Sequence, residues 1–215
     1  MITSTTGKKN IINLKTPYIH AVEYFSLTNT HRVATNNIMI QVGWKPHRVN
    51  FKLNTDGSMN KATGIGGIGG VIRDKHENWV VGFMGSLTTS ASIRTEISAL
   101  VNGLRLAILH NLTPIEVSID CKEVIQYLKD DHLSYSNILS DCRDLIKQLG
   151  MPQVQHNYRE ENKVADILAN EGAKLKKTSS ILILTVPPLF ALKYLEADKT
   201  ETHFVRRLSP ASTNT

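Results

Sequence analysis

The hydrophobic period of this chain first changes near residue 90, and that change constrains the fold more than any single motif. Before it, "VNFKLNTD" alternates, with Val49, Phe51 and Leu53 on one side and Asn50, Lys52, Asn54 and Asp56 on the other. A repeat of two is that of a strand with one apolar face. "GIGGIGGVIRD" and "NWVVGFMGSL" read as two further strands, joined across the polar "RDKHEN", which suits a hairpin turn. Three strands with short connections predict an antiparallel meander. After the change, Ile93, Ile97, Leu100, Leu104 and Ile108 of "SIRTEISALVNGLRLAILHN" fall on one helical stripe.

The remaining segments continue in the mixed manner. "PIEVSID" is a short strand, "CKEVIQYLKDD" a helix, "SNILSDCRDLIKQLG" another ended by Gly150 and Pro152, "QVQHNY" a strand and "NKVADILANEGAKL" a last helix. The order β-β-β-α-β-α-α-β-α predicts a mixed sheet flanked by helices. Gly64, Gly66, Gly67, Gly69 and Gly70 are not followed by GKS or GKT, nor by a helix, so they do not form a phosphate loop. They fit a strand against which another backbone packs closely.

Boundaries follow from texture. Residues 1–43 are rich in Asn, Thr and Ile without a sustained period, residues 44–175 carry the alternating elements, and residues 176–215 form a tail with a short apolar segment at 181–195. Pro187 and Pro188 break that segment, and no run reaches the roughly 20 apolar residues a spanning helix needs, so a soluble protein without a membrane partner is expected. Cys121 and Cys142 lack the spacing of metal fingers or disulfide scaffolds. An intracellular, nuclear or cytoplasmic location follows, with the acid-poor start of the chain leaving organelle targeting open. The net charge of +6 lies in the ends: Trp44 to Leu175 holds 15 Lys and Arg against 15 Asp and Glu. Basic balance alone is therefore no argument for a nucleic-acid partner.

Four carboxylates each have a local explanation. Asp56 precedes Gly57 and Ser58, a turn-forming context, although it ends the polar side of a strand instead of sitting between two strands. Glu96 stands about 60 degrees from the centre of its helix's apolar stripe, where an edge glutamate reaches solvent. Asp120 opens a helix with Glu123 three residues later, close to a capping box. Asp166 occupies a first helical turn, where negative charge favours the dipole, beside the small residues Ala165, Ala169, Gly172 and Ala173.

Taken in order, these acids and the elements that carry them resemble the ribonuclease H superfamily. The segments "WKPHRVNFKLNTDGS", "GIGGVIRD", "NWVVGF", "TEISALVNGLRLA", "IEVSIDCKEV" and "HNYREENKVADILA" are similar to the plant ribonuclease H-like group, found alone and as tails of retroelement polyproteins. The resemblance covers roughly residues 44–175. It implies an α/β ribonuclease H-like fold with a mixed five-stranded sheet, three antiparallel strands followed by parallel ones, flanked by helices. It also implies a monomer that cleaves the RNA strand of RNA/DNA hybrids.

The implied chemistry is two-metal hydrolysis with Mg2+, for which Mn2+ is a possible substitute. The resemblance assigns the ligands to Asp56, Glu96, Asp120 and Asp166, with Asp56 bridging two ions roughly 4 Å apart. His156 matches a histidine used in proton transfer or product release. Gly57, Ser58, Asn162, Arg159 and Lys163 are the expected nucleic-acid contacts. Two departures stand out: Cys121 replaces a common serine, and "DDHLSYSN" contains no Lys or Arg where some relatives grip the hybrid. An inactive nucleic-acid-binding module, a resolvase or a 3'-exonuclease on the same fold are the alternatives.

Overall fold

The computed structural model describes residues 38–42, 49–60, 62–89, 91–130, 132–175, 181–199 and 204–208. The chain divides into two compact units, residues 1–39 with 207–215, and residues 40–206. The elements below belong to the second, apart from the ends of two short strands, β1 (Ile38–Val42) and β8 (Phe204–Leu208), which pair as a sheet of their own.

The meander forms from β2 (Phe51–Asn60), β3 (Ile65–Asp74) and β4 (Trp79–Thr88), with both pairings antiparallel. At the second hairpin, Asp74 Oδ1 accepts the backbone N–H groups of His76 and Asn78, at 2.8 and 2.9 Å, and Glu77 takes a positive φ of 65°. The long helix α1 (Ser92–Leu109) leads to β5 (Ile115–Ile119), which runs parallel to β2. Two helices, α2 (Lys122–Lys129) and α3 (Ser136–Gln148), precede the three-residue β6 (Val154–His156), parallel to β5. α4 (Lys163–Gly172) closes the series.

Two features depart from the sequence reading. The sheet has six strands, in the order β6-β5-β2-β3-β4-β7, because β7 (Ile181–Leu184) from the C-terminal segment pairs antiparallel with β4. The prolines that break the apolar run separate this edge strand from a further helix, α5 (Leu189–Lys199). β2 also does not stop at Asp56: Gly57 to Asn60 stay paired with Ile68 to Ile65, so Asp56 sits inside the strand, opposite Gly69.

Alternation in β3 divides the core between the sheet's faces. Ile72 packs with Leu53, Ile97, Leu100 and Leu104 under α1, whereas Val71 packs with Val164, Leu168 and Leu195 under α4 and α5. The β3 glycines explain how α4 comes so close. A β-carbon on Gly67 would collide with the Ala169 carbonyl, and one on Gly69 would lie 2.7 Å from Leu168 Cβ. Among the described residues, no helix is long and apolar enough to cross a membrane.

Candidate functional site

Parallel pairing places two of the acids side by side. Thr55 of β2 is in register with Ile119 of β5, so the next residues, Asp56 and Asp120, emerge together at the carboxyl ends of adjacent strands, where α/β sheets gather ligands. Glu96 arrives from α1, which packs directly on β2. The missing side chain of Gly57 permits that approach, since a β-carbon there would lie 2.6 Å from the Thr95 carbonyl carbon. The Gly57 backbone N–H donates to Glu96 Oε2 at 3.0 Å, which holds the glutamate over the strand. One carboxylate oxygen from each of Asp56, Glu96 and Asp120 then lies within 4.8 Å of the other two.

Such a cluster is electrostatically unfavourable without a cation. Burial first, then the neighbouring Glu96, Asp120 and Asp166, hold Asp56 well above the usual carboxylate range. Burial and the Asp120 charge push Glu96 up to about 8, against the pull of the Gly57 N–H. Asp120 is also raised by burial, less so because Asp56 hydrogen-bonds to it. An all-oxygen, negatively charged donor set of this kind fits a hard divalent ion.

The sign of the pH effect follows. Glu96 ionises near 4.5 when unshifted but near 8 in the folded chain. Between those values the folded state binds more protons than the unfolded state, so metal-free stability falls as pH rises from about 4.5 to about 8. Burial lowers the His156 pKa and opposes this trend where imidazole titrates. Thermal melts in chelator at pH 5 and pH 8 should give the lower melting temperature at pH 8; equal or reversed values would contradict the repulsion.

Asp166 lines the same cavity, of about 400 Å³, together with Asp56, Glu96, Asp120, Arg159 and Cys121. It stands outside the triad, with its oxygens engaged. Arg159 Nη2 lies 3.2 Å from Oδ1 and Lys163 Nζ 3.5 Å from Oδ2. Asn170 Nδ2 donates to Oδ1 at 3.1 Å, and Ser58 Oγ donates to Asn170 Oδ1 at 2.6 Å. Asn170 was not singled out from sequence, although its position four residues after Asp166 puts both on one helix face. Burial pushes the Cys121 thiol up to about 11, so at neutral pH it is neither thiolate ligand nor nucleophile.

The other expected site residues are placed differently. Asn162 cannot meet nucleic acid as expected: it is 1% exposed, donates from Nδ2 to the Thr55 carbonyl at 2.9 Å and accepts from Asn54 at Oδ1 at 3.1 Å. Its amide is used up in tying the start of α4 to β2. The Asp120 cap is not formed either, since Cys121 is the N-cap of α2 and makes no side-chain capping bond. His156 lies in β6, edge-on to Tyr158 with ring centroids 5.6 Å apart, and is not part of the cavity lining. Gly57 and Ser58 line the cavity, but each also has work inside the protein, holding Glu96 and Asn170.

Residues 54–172 match the family model described as reverse transcriptase-like. A protein of Arabidopsis thaliana named "Putative ribonuclease H protein At1g65750" is 29% identical over 138 residues, covering 62% of this chain and 22% of that protein. This chain thus spans about a fifth of that relative's length. Among solved structures, the N-terminal RNase H domain of Rv2228c from Mycobacterium tuberculosis superposes with a TM-score of 0.54 at 22% identity, covering 58% of this chain and 94% of that one. LC11-RNase H1, in complex with an RNA/DNA hybrid, gives 0.52 at 21% identity, covering 57% and 96%. At these identities the structural matches establish the fold.

Proposed function

This chain belongs to the reverse transcriptase-like family, with a ribonuclease H-like fold, and from that premise we propose that it is a metal-dependent endonuclease cutting the RNA strand of RNA/DNA hybrids. The observation that carries the reading is the meeting of Asp56, Glu96 and Asp120 within 4.8 Å in a cavity that Asp166 also lines. Mg2+, with Mn2+ as substitute, would be held by these carboxylates, and when bound it supplies an activated water and charge neutralisation at the phosphate and the departing oxygen.

The chain's own residues provide position and charge. Asp56, with Glu96 and Asp120, would hold the ion. Arg159, 67% exposed in its side chain at the cavity, offers a planar guanidinium suited to phosphate oxygens. Moving to a phosphate would release Asp166 Oδ1 from its ion pair, so substrate binding and the availability of the fourth carboxylate are coupled. Lys163, on the other Asp166 oxygen, adds positive charge beside the phosphate path. His156 enters only as a neighbour of Asp120, whose backbone it hydrogen-bonds.

The test is cleavage of strand-labelled RNA/DNA hybrid, duplex DNA and duplex RNA by the purified chain, with and without Mg2+. Cutting of the RNA strand of the hybrid alone, and only with metal, is the expected result. Hybrid retention without cleavage would replace the reading by a binding module, and cleavage of duplex DNA would replace it by another nuclease of this fold.

A further inference from the structure

β2 carries polar residues on the side that faces α4 and α5, yet Lys52, Asn54 and Asp56 are 5%, 0% and 5% exposed. They lie in a buried polar layer with a connected course. Arg73, 1% exposed, donates from Nη1 to Asp198 Oδ2 of α5 at 2.7 Å and from Nη2 to Asn54 Oδ1 at 3.0 Å. Asn54 Nδ2 donates to Asn162 Oδ1 at 3.1 Å, and Asn162 Nδ2 donates to the Thr55 carbonyl at 2.9 Å. The Asn162 carbonyl in turn accepts the Asp166 N–H at 3.0 Å.

We propose that the C-terminal helix α5 sets the geometry of the acidic cavity through this chain, so that Asp198, Arg73 and Asn54 are positioning residues for the carboxylate site; the inference rests on the metal-site reading above. Polarity fixes the direction of each bond. A guanidinium can only donate, so Asn54 must present its oxygen to Arg73 and its NH2 to Asn162. Asn162 must then accept from Asn54 and donate to Thr55. With Arg73 in place, neither amide can flip without setting donor against donor. The chain ends at the residue before Asp56 and at the residue that opens the helix of Asp166. Asp198 holds Arg73 by charge, and it comes from a segment outside the 54–172 family match.

The test uses the full chain, with Mn2+ affinity measured by electron paramagnetic resonance and, separately, kcat and KM on hybrid. The double variant Arg73→Met with Asp198→Leu replaces the ion pair by apolar groups of similar size, a change that often preserves stability. Its expected phenotype is a wild-type-like melt, Mn2+ affinity about tenfold weaker, and a reduced kcat with KM unchanged, as when supporting partners of metal ligands are removed. Asn54→Leu, which keeps the ion pair but breaks the chain in its middle, should show the same loss of affinity even if the double variant does not fold. Leu195→Ala, in the apolar contact of α5, should lower the melting temperature and leave Mn2+ affinity unchanged. Wild-type Mn2+ affinity in folded Asn54→Leu or in the double variant would overturn the proposal. Affinity is read without catalysis, so a wild-type chain that binds Mn2+ but cuts no hybrid would sink the nuclease reading and leave this result to stand or fall alone.

Discussion

Asp56→Asn abolishes Mg2+-dependent cleavage of the hybrid, by on the order of 10³-fold or more, while raising the melting temperature of the metal-free protein at pH 8. The two effects have one origin. Asp56 is 5% exposed and faces Glu96 and Asp120, and burial with these neighbours makes its ionisation unfavourable in the folded state. The unfolded chain ionises it freely. Each unit of pKa displacement costs the fold about 1.4 kcal/mol once pH exceeds the folded value. Asn has nearly the same shape and no proton to lose, so that cost disappears.

For a chain of this size each kcal/mol moves the melting temperature by about 2–4 °C, and a rise is expected. Mg2+ acts in the opposite sense and narrows the difference. Wild type gains about 1.4 kcal/mol at ten times the dissociation constant, whereas the variant, lacking one carboxylate of the triad, gains little. Calorimetry at pH 8 with chelator and with Mg2+, beside the cleavage assay, checks both parts. A variant that melts lower without metal, or that retains activity, would show that Asp56 is structural.

The period change near residue 90 was enough to read the meander, α1 and the later alternation of strand and helix, because each element buries a regular face. Less visible was what covers the second face of β2. Alternation assigns Lys52, Asn54 and Asp56 to one side, but it does not say whether that side is wet. It is dry because Arg73 and Asp198, 125 residues apart, meet over it, and no local pattern encodes such a pairing. The same limit applies to the sheet edge, where "ILIL" reads as tail until β4 is there to pair with it.

Among the site residues, the four acids were legible as a set, whereas the partners of the amides were not. Asp56, Glu96, Asp120 and Asp166 each have a local explanation, and it is their order along the elements that singles them out. Asn162 and Asn170 look like ordinary helix-start and helix-surface residues, although one fixes the start of α4 to β2 and the other connects Ser58 to Asp166. Gly57 is expected from sequence as a nucleic-acid contact. The room it leaves is taken by α1, and through α1 by Glu96.

Gly67→Ala gives the second large effect, and it separates close packing from backbone freedom. A β-carbon at Gly67 would collide with the Ala169 carbonyl and lie 2.6 Å from Ala173 N and 2.9 Å from its Cβ. These are mostly backbone atoms, so relief requires α4 to move as a body, and overpacking of this kind costs about 3 kcal/mol. The melting temperature should fall by about 6–12 °C. Because α4 carries Asp166 and Asn170 and opens at Asn162, Mn2+ affinity should fall with it. Gly150 provides the contrast: its φ is +80° and nothing lies within 4 Å of its would-be β-carbon. Gly150→Ala pays about 1–2 kcal/mol of backbone strain, recovered in part by Gly150→Asn, which tolerates that conformation, and leaves Mn2+ affinity at the wild-type value. If Gly67→Ala keeps wild-type Mn2+ affinity despite its lower melt, the seating of α4 on β3 serves stability alone and does not aim Asp166 into the cavity.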